Sequence, residues 1–223
     1  MCFSETASFG AAVALTTIGV FTLKKVETPN QLLFASIPLI FALQQFTEGF
    51  VWMSLMHPKH AHLEYSATFL FLFFAQVLWP LFVPLSMYMM EKNKLRKNVL
   101  LSLAILGILV ALYRFYWLLD ISVQAKIIEH HITYKFDTKS DFTKFYSVVY
   151  FLTTVVSTFI STVKKMKILG IAILFSVIIS RIFFYHYFIS VWCFMAAIIS
   201  VFVYIIIKAM KETDKTEYRS GLY

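Results

Sequence analysis

Apolar residues gather into seven runs separated by short polar connections, at about 6–23, 32–55, 66–90, 98–119, 143–163, 167–186 and 188–208. A helix needs roughly 20 mainly apolar residues to cross a hydrocarbon core, so each run predicts one transmembrane helix. The last two runs make a 40-residue stretch, 168–207, whose only charge is Arg181. That length predicts two helices with a tight turn near 185–188, although no Gly or Pro marks it. The connection at 120–142 is the only long one, and its four acids nearly balance three lysines. Its pattern decides neither a short helix nor a hairpin. The fold expected is all-α: one domain, a polytopic seven-transmembrane-helix bundle.

Composition agrees with that pattern. Hydrophobic residues make up 60% of the chain and charged ones 14%, against about 45–50% and about a quarter in soluble domains. The net charge of +8 raises the question of nucleic acid. The bases, however, sit in short clusters between apolar runs, with no aromatic-interleaved basic patch, so no nucleic-acid partner is expected.

Those clusters predict orientation instead. The connections after runs one, three and five, with the C-terminal tail, hold 13 Lys and Arg, and the opposite side holds 5. This places the N-terminus outside and the C-terminus in the cytoplasm, in a protein of the cell membrane. The first run lacks a basic leader, carries Glu5 and is followed by its lysines, so it is expected to stay as a helix rather than be cleaved.

With this orientation all six histidines (His57, His60, His62, His130, His131 and His186) fall on the outer side, as do Cys2 and Cys193. The two cysteines are able to bridge in an oxidising compartment, or Cys193 packs as a small hydrophobe.

Polar groups also lie inside the runs. Gln44, Gln45, Glu48 and Trp52 share one face of the second helix by their spacing of three and four. Glu48 lies about seven residues from the outer end, roughly 10 Å deep at 1.5 Å per residue. A carboxylate at that depth calls for a cation or water. Arg114 and Arg181 lie at similar depth in the fourth and sixth helices, and Gln76 in the third, just before Pro80 and Pro84. Two readings stay open here: a Glu–Arg pair that only holds helices together, or a functional pocket.

A metal site needs three or four ligands. The outer candidates are His130, His131, His186, Cys2 and Cys193, with Glu48 nearby, and a divalent metal such as zinc is the candidate cofactor. His57-x-x-His60-x-His62 matches no zinc signature and is expected in a solvated loop. No Gly-rich phosphate loop, G-x-S-x-G elbow or C-x-x-C occurs, which argues against nucleotide, serine-hydrolase and dithiol chemistry.

Several stretches together carry a resemblance: Met1-Cys-Phe-Ser-Glu-Thr-Ala-Ser-Phe9, Gln44-Gln-Phe-Thr-Glu-Gly-Phe-Val-Trp52, Trp79-Pro-Leu-Phe-Val-Pro-Leu85, His130-His-Ile-Thr-Tyr134 and Ile189-Ser-Val-Trp-Cys-Phe-Met-Ala-Ala197. The chain resembles a mostly bacterial family of small multipass membrane proteins that carries only a domain-of-unknown-function label. Met195 stands where that pattern has Phe. The resemblance supplies no activity. It implies that Cys2, Ser4, Glu48, Trp52, His130, His131, Trp192 and Cys193 belong to signature motifs.

The function expected is an outward-facing polar pocket in the outer half of the bundle, taking a small polar or anionic molecule or a lipid headgroup from the outer side. Gln44, Gln45, Trp52, Gln76, Trp192 and Ser4 would line it. As an enzyme it would be a metal-dependent hydrolase, with Glu48 as general base and Arg114 and Arg181 as anion stabilisers. The alternatives are a seven-helix receptor or sensor and, less favoured because the inner halves are so apolar, a transporter.

Overall fold

The computed structural model describes residues 4–137 and 142–219. Six of its helices are long and apolar enough to cross a membrane: α1 (Glu5–Leu23), α2 (Pro29–Met56), α3 (Pro58–Met90), α4 (Lys94–Asp120), α6 (Met166–Phe183) and α7 (Tyr185–Glu212). A shorter apolar helix, α5 (Phe145–Ile160), stands between α4 and α6. Each of the seven apolar runs is thus a helix, an architecture compatible with a multipass membrane protein. Two of the helices start on side-chain caps. The Ser4 hydroxyl accepts from the Ala7 amide at 3.1 Å, and Asn93 accepts from the Arg96 amide at 3.2 Å, each satisfying an orphan N–H of a first turn.

Three connections take definite shape, one of them unlike the loop expected. The His57–His62 segment is not a loop, because Pro58 starts a 3-10 helix over Pro58–Leu63 that leads directly into α3. The turn between α6 and α7 is another 3-10 helix, Tyr185–Tyr187. The long connection holds a hairpin, β1 (Val123–Ile128) and β2 (His131–Phe136), paired antiparallel with Ala125 opposite Tyr134 and Ile127 opposite Ile132. Alternation gives it one apolar face. Ala125, Ile132 and Tyr134 are buried, and Tyr134 stacks on Phe71 of α3 at 5.1 Å while Phe136 meets Trp117 of α4 at 5.2 Å. The hairpin therefore roofs one end of the bundle. Its turn places Glu129 at φ 54°, a left-handed conformation that favours glycine.

The third helix is broken in the middle and repaired from outside. Pro80 has no N–H, so the carbonyl four residues earlier, Gln76, loses its α-helical donor. Residues Phe73–Leu78 wind as a π-helix, in which bonds span five residues, so Ala75 loses its donor to the same proline. Two tyrosines one turn apart on α5 supply both: Tyr146 Oη donates to Gln76 O at 2.8 Å and Tyr150 Oη to Ala75 O at 2.7 Å. Pro84 similarly frees the Pro80 carbonyl. Gly107 of α4 packs directly on it, where any Cβ would collide with that oxygen.

The end opposite the hairpin is rich in lysine and is clasped by side chains. Glu91, at the end of α3, accepts from the Thr162 amide (2.7 Å) and hydroxyl (2.6 Å) and from the Asn93 amide (2.9 Å). Arg96 donates to Ile160 O at 2.9 Å, and Lys211 pairs with Glu27. Burial works to raise the Glu91 carboxyl, but the hydrogen bonds from Thr162, Asn93 and Ser161 prevail and hold it below its usual value.

Candidate functional site

Under the hairpin lies a cavity of about 490 Å³. The strand residues Ile132, Tyr134 and Phe136 roof it, and α3, α4, α5, α6 and α7 form its walls. Two arginines reach it. Arg114 is only 7% exposed; its Nε donates to Gln76 Oε1 at 2.7 Å. Its guanidinium lies 3.8 Å from the Trp117 ring centre and 4.4 Å from that of Tyr146. Ring faces carry negative charge and suit a cation, so this arginine is held by neutral partners alone. Arg181, exposed at the wall, stands over Tyr185 at 4.7 Å and Phe188 at 5.5 Å. Among the described residues neither arginine forms an ion pair with a carboxylate.

Glu48 does not belong to this lining. It is fully buried in the seam between α2 and α7, where it accepts from Ser190 Oγ at 2.5 Å and from Gln45 Nε2 at 3.2 Å. One turn along, Gln44 Oε1 accepts from Trp79 Nε1 at 2.7 Å. The acid and the arginines expected to converge therefore separate into two sites. Depth along a helix is countable from the sequence, but the direction a side chain takes around it is not. Glu48 and Gln45 turn toward α7, whereas Arg114 turns toward Gln76 and the aromatic shelf. Among the described residues the Gln44 Nε2, Gln45 Oε1 and Trp52 Nε1 atoms of this seam are buried without a hydrogen-bond partner.

The expected metal ligands also scatter. His130 is exposed at the hairpin turn, and His131 stacks on Tyr187 with ring centres 4.4 Å apart. His186 lies at the cavity wall. Cys193 is a buried free thiol, and Cys2 falls outside the described residues. Among the described residues no three His, Cys, Asp or Glu side chains come together to hold a metal. Ser4 serves as the cap of α1, and His57 meets Glu5 at 3.2 Å on the same end of the bundle. Burial holds the His131 imidazole below its usual pKa.

Of the sequence candidates, the cavity gathers Gln76, Arg114, Arg181, His186, Trp192 and Cys193. Sequence reasoning missed Trp117, Tyr146, Tyr150 and the hairpin aromatics. For the tyrosines a signal exists: two hydroxyls four residues apart in an apolar helix, in a chain whose Pro80 must leave carbonyls bare.

Fold and cavity together define a bundle of apolar helices, roofed at one end by a hairpin, with an arginine-bearing aromatic chamber beneath it. The chain belongs to the family of unknown function DUF6629, whose model matches residues 1–218. No curated protein and no solved structure matches it.

Proposed function

We propose that this is an integral protein of the cell membrane whose chamber, on the outer side, binds a small anion or the anionic headgroup of a lipid. The observation that carries the reading is Arg114: a buried guanidinium at the wall of a large cavity, held among the described residues by neutral partners, the Gln76 amide oxygen, the Tyr146 side chain and ring faces. A cation removed from water without a counter-charge is costly, and ionisable residues within spans lean toward function. An anion in the chamber would complete it, with Arg181 as the second positive group. The excess of Lys and Arg at the opposite end supports an outward-facing chamber by the positive-inside rule.

The reading takes no hydrolytic step through Glu48, which touches Ser190 and Gln45 rather than the chamber, and it invokes no metal, since among the described residues no ligand set gathers. Nor does a polar path continue toward the basic end. The buried hydroxyls of Thr153, Thr154 and Thr158 donate to carbonyls of their own helix, which supports a closed-ended pocket over a transport route.

The test is calorimetry of the purified protein with inorganic phosphate, beside Arg114→Gln. A hydrogen bond to a charged group contributes about 1.5–3 kcal/mol, so the variant should bind at least about tenfold more weakly. Equal affinity in both proteins would sink the reading.

A further inference from the structure

The chamber has a second cavity beneath it. A narrower space of about 70 Å³ lies toward the basic end, lined by apolar side chains including Val83, Leu169, Ile173 and Ala196. Tyr150, Trp192 and Cys193 line both spaces, so one wall separates the arginine-bearing chamber from the apolar one. In that wall Trp192 meets the Tyr150 ring edge-on at 5.5 Å and stacks on Phe188 at 5.3 Å, and its buried indole N–H has no hydrogen-bond partner among the described residues. The two spaces differ in chemistry as the two ends of an amphiphile do.

The route in also faces the bilayer. α6 packs on α5 through residues 152–160, whereas nearer the hairpin Ser147 and Phe151 of α5 and Val177 and Arg181 of α6 line the chamber. The two helices therefore touch at the basic end and are parted by the cavity at the other. Arg181, exposed beside that gap, stands where a headgroup would pass between lipid and chamber.

We propose that the ligand is an anionic amphiphile: its head lies with Arg114 and Arg181, and its alkyl chain runs past Tyr150, Trp192 and Cys193 into the apolar cavity, entering between α5 and α6. The head rests on the anion reading given above; the chain is a separate claim. A chain also explains why the lower cavity is apolar and why its border is aromatic, since ring faces pack against methylenes while the indole N–H remains free for an oxygen of the head.

The two claims separate in one experiment. Protein in nanodiscs of zwitterionic lipid is titrated with methyl phosphate and with decyl phosphate, reading saturable tryptophan fluorescence change and the bound count by native mass spectrometry. Wild type should bind decyl phosphate at least about tenfold more tightly than methyl phosphate, since each buried methylene adds affinity. Ala196→Phe, which fills the lower cavity, should abolish that gain and leave methyl phosphate binding unchanged; Ile173→Phe adds the same bulk from α6 should the first variant fold poorly. Arg114→Gln should weaken both ligands. A decyl advantage that survives both filling variants, or no decyl advantage in wild type, overturns the chain placement and leaves the anion reading standing. Binding of both ligands that ignores Arg114→Gln overturns the anion reading itself.

Discussion

Pro80 withholds one backbone donor from the middle of α3, and the groups that satisfy the carbonyls beside it come from another helix. Ala75 and Gln76 keep their carbonyls satisfied only through Tyr150 and Tyr146. A buried acceptor that loses its partner costs about 1–3 kcal/mol. Tyr150→Phe should therefore lower stability by that amount, measured as reversible unfolding in mixed detergent, with little change in helix content; an unchanged midpoint would refute the assignment. The same residues show where reading the sequence stops. Proline announces freed carbonyls, and a tyrosine pair offers donors, but nothing in one chain says that α5 rather than another helix lies opposite. Glu48 and Arg114 teach the same lesson in reverse. Their equal depth is legible from residue counts, their separation is not, because it depends on which neighbour each helix face meets.

At the scale of elements, the helices are legible because twenty apolar residues in a row have few alternatives. The hairpin is not, since β1 and β2 carry lysines and alternate only weakly until the helix ends beneath them supply Phe71 and Trp117 as partners. Its closure depends on His131 packing against Tyr187 and Phe184. The folded imidazole binds a proton less readily than the unfolded one. Its contribution is thus full above the ordinary value of 6.5 and is lost as pH falls through the lower folded value. Hydrogen-exchange protection across 123–136 should fall in wild type as pH drops below 6.5, beyond the change seen in His131→Phe; identical pH profiles would remove His131 from the closure. At the other end the Glu91 clasp obeys the same sign. Its carboxylate stabilises the fold above the ordinary value of 4.5 and ceases to do so as pH falls through the depressed one. Glu91→Gln should therefore melt below wild type at neutral pH, and the gap should close as pH falls below 4.5 and through the depressed value. A gap independent of pH would mean that charge is not what the clasp uses.

At the scale of the molecule, the ends are unlike. One end carries the hairpin, the chamber and all the described histidines; the other carries the lysine clusters, the Glu91 clasp and the Lys211–Glu27 pair. Under the orientation proposed from charge, the first end is external. In a Cys2→Ser background, a cysteine replacing His60 should react with a membrane-impermeant maleimide on intact cells, and one replacing Lys164 only after permeabilisation. The reverse pattern would invert the protein and turn its chamber toward the cytoplasm.

The borrowed tyrosines also set an order of events during synthesis. Tyr146 and Tyr150 lie 70 and 75 residues after the carbonyls they satisfy, so the third helix leaves the ribosome well before its partners exist. In hydrocarbon each bare carbonyl costs several kcal/mol, and a nascent chain that far along has no means of covering them. In a chain stopped at Asp120 the third helix should be open to protease, while in one stopped after 163 it should be protected. Insertion of this protein is then a joint act of the third and fifth helices, with the ribosome's pace deciding how long the third must wait.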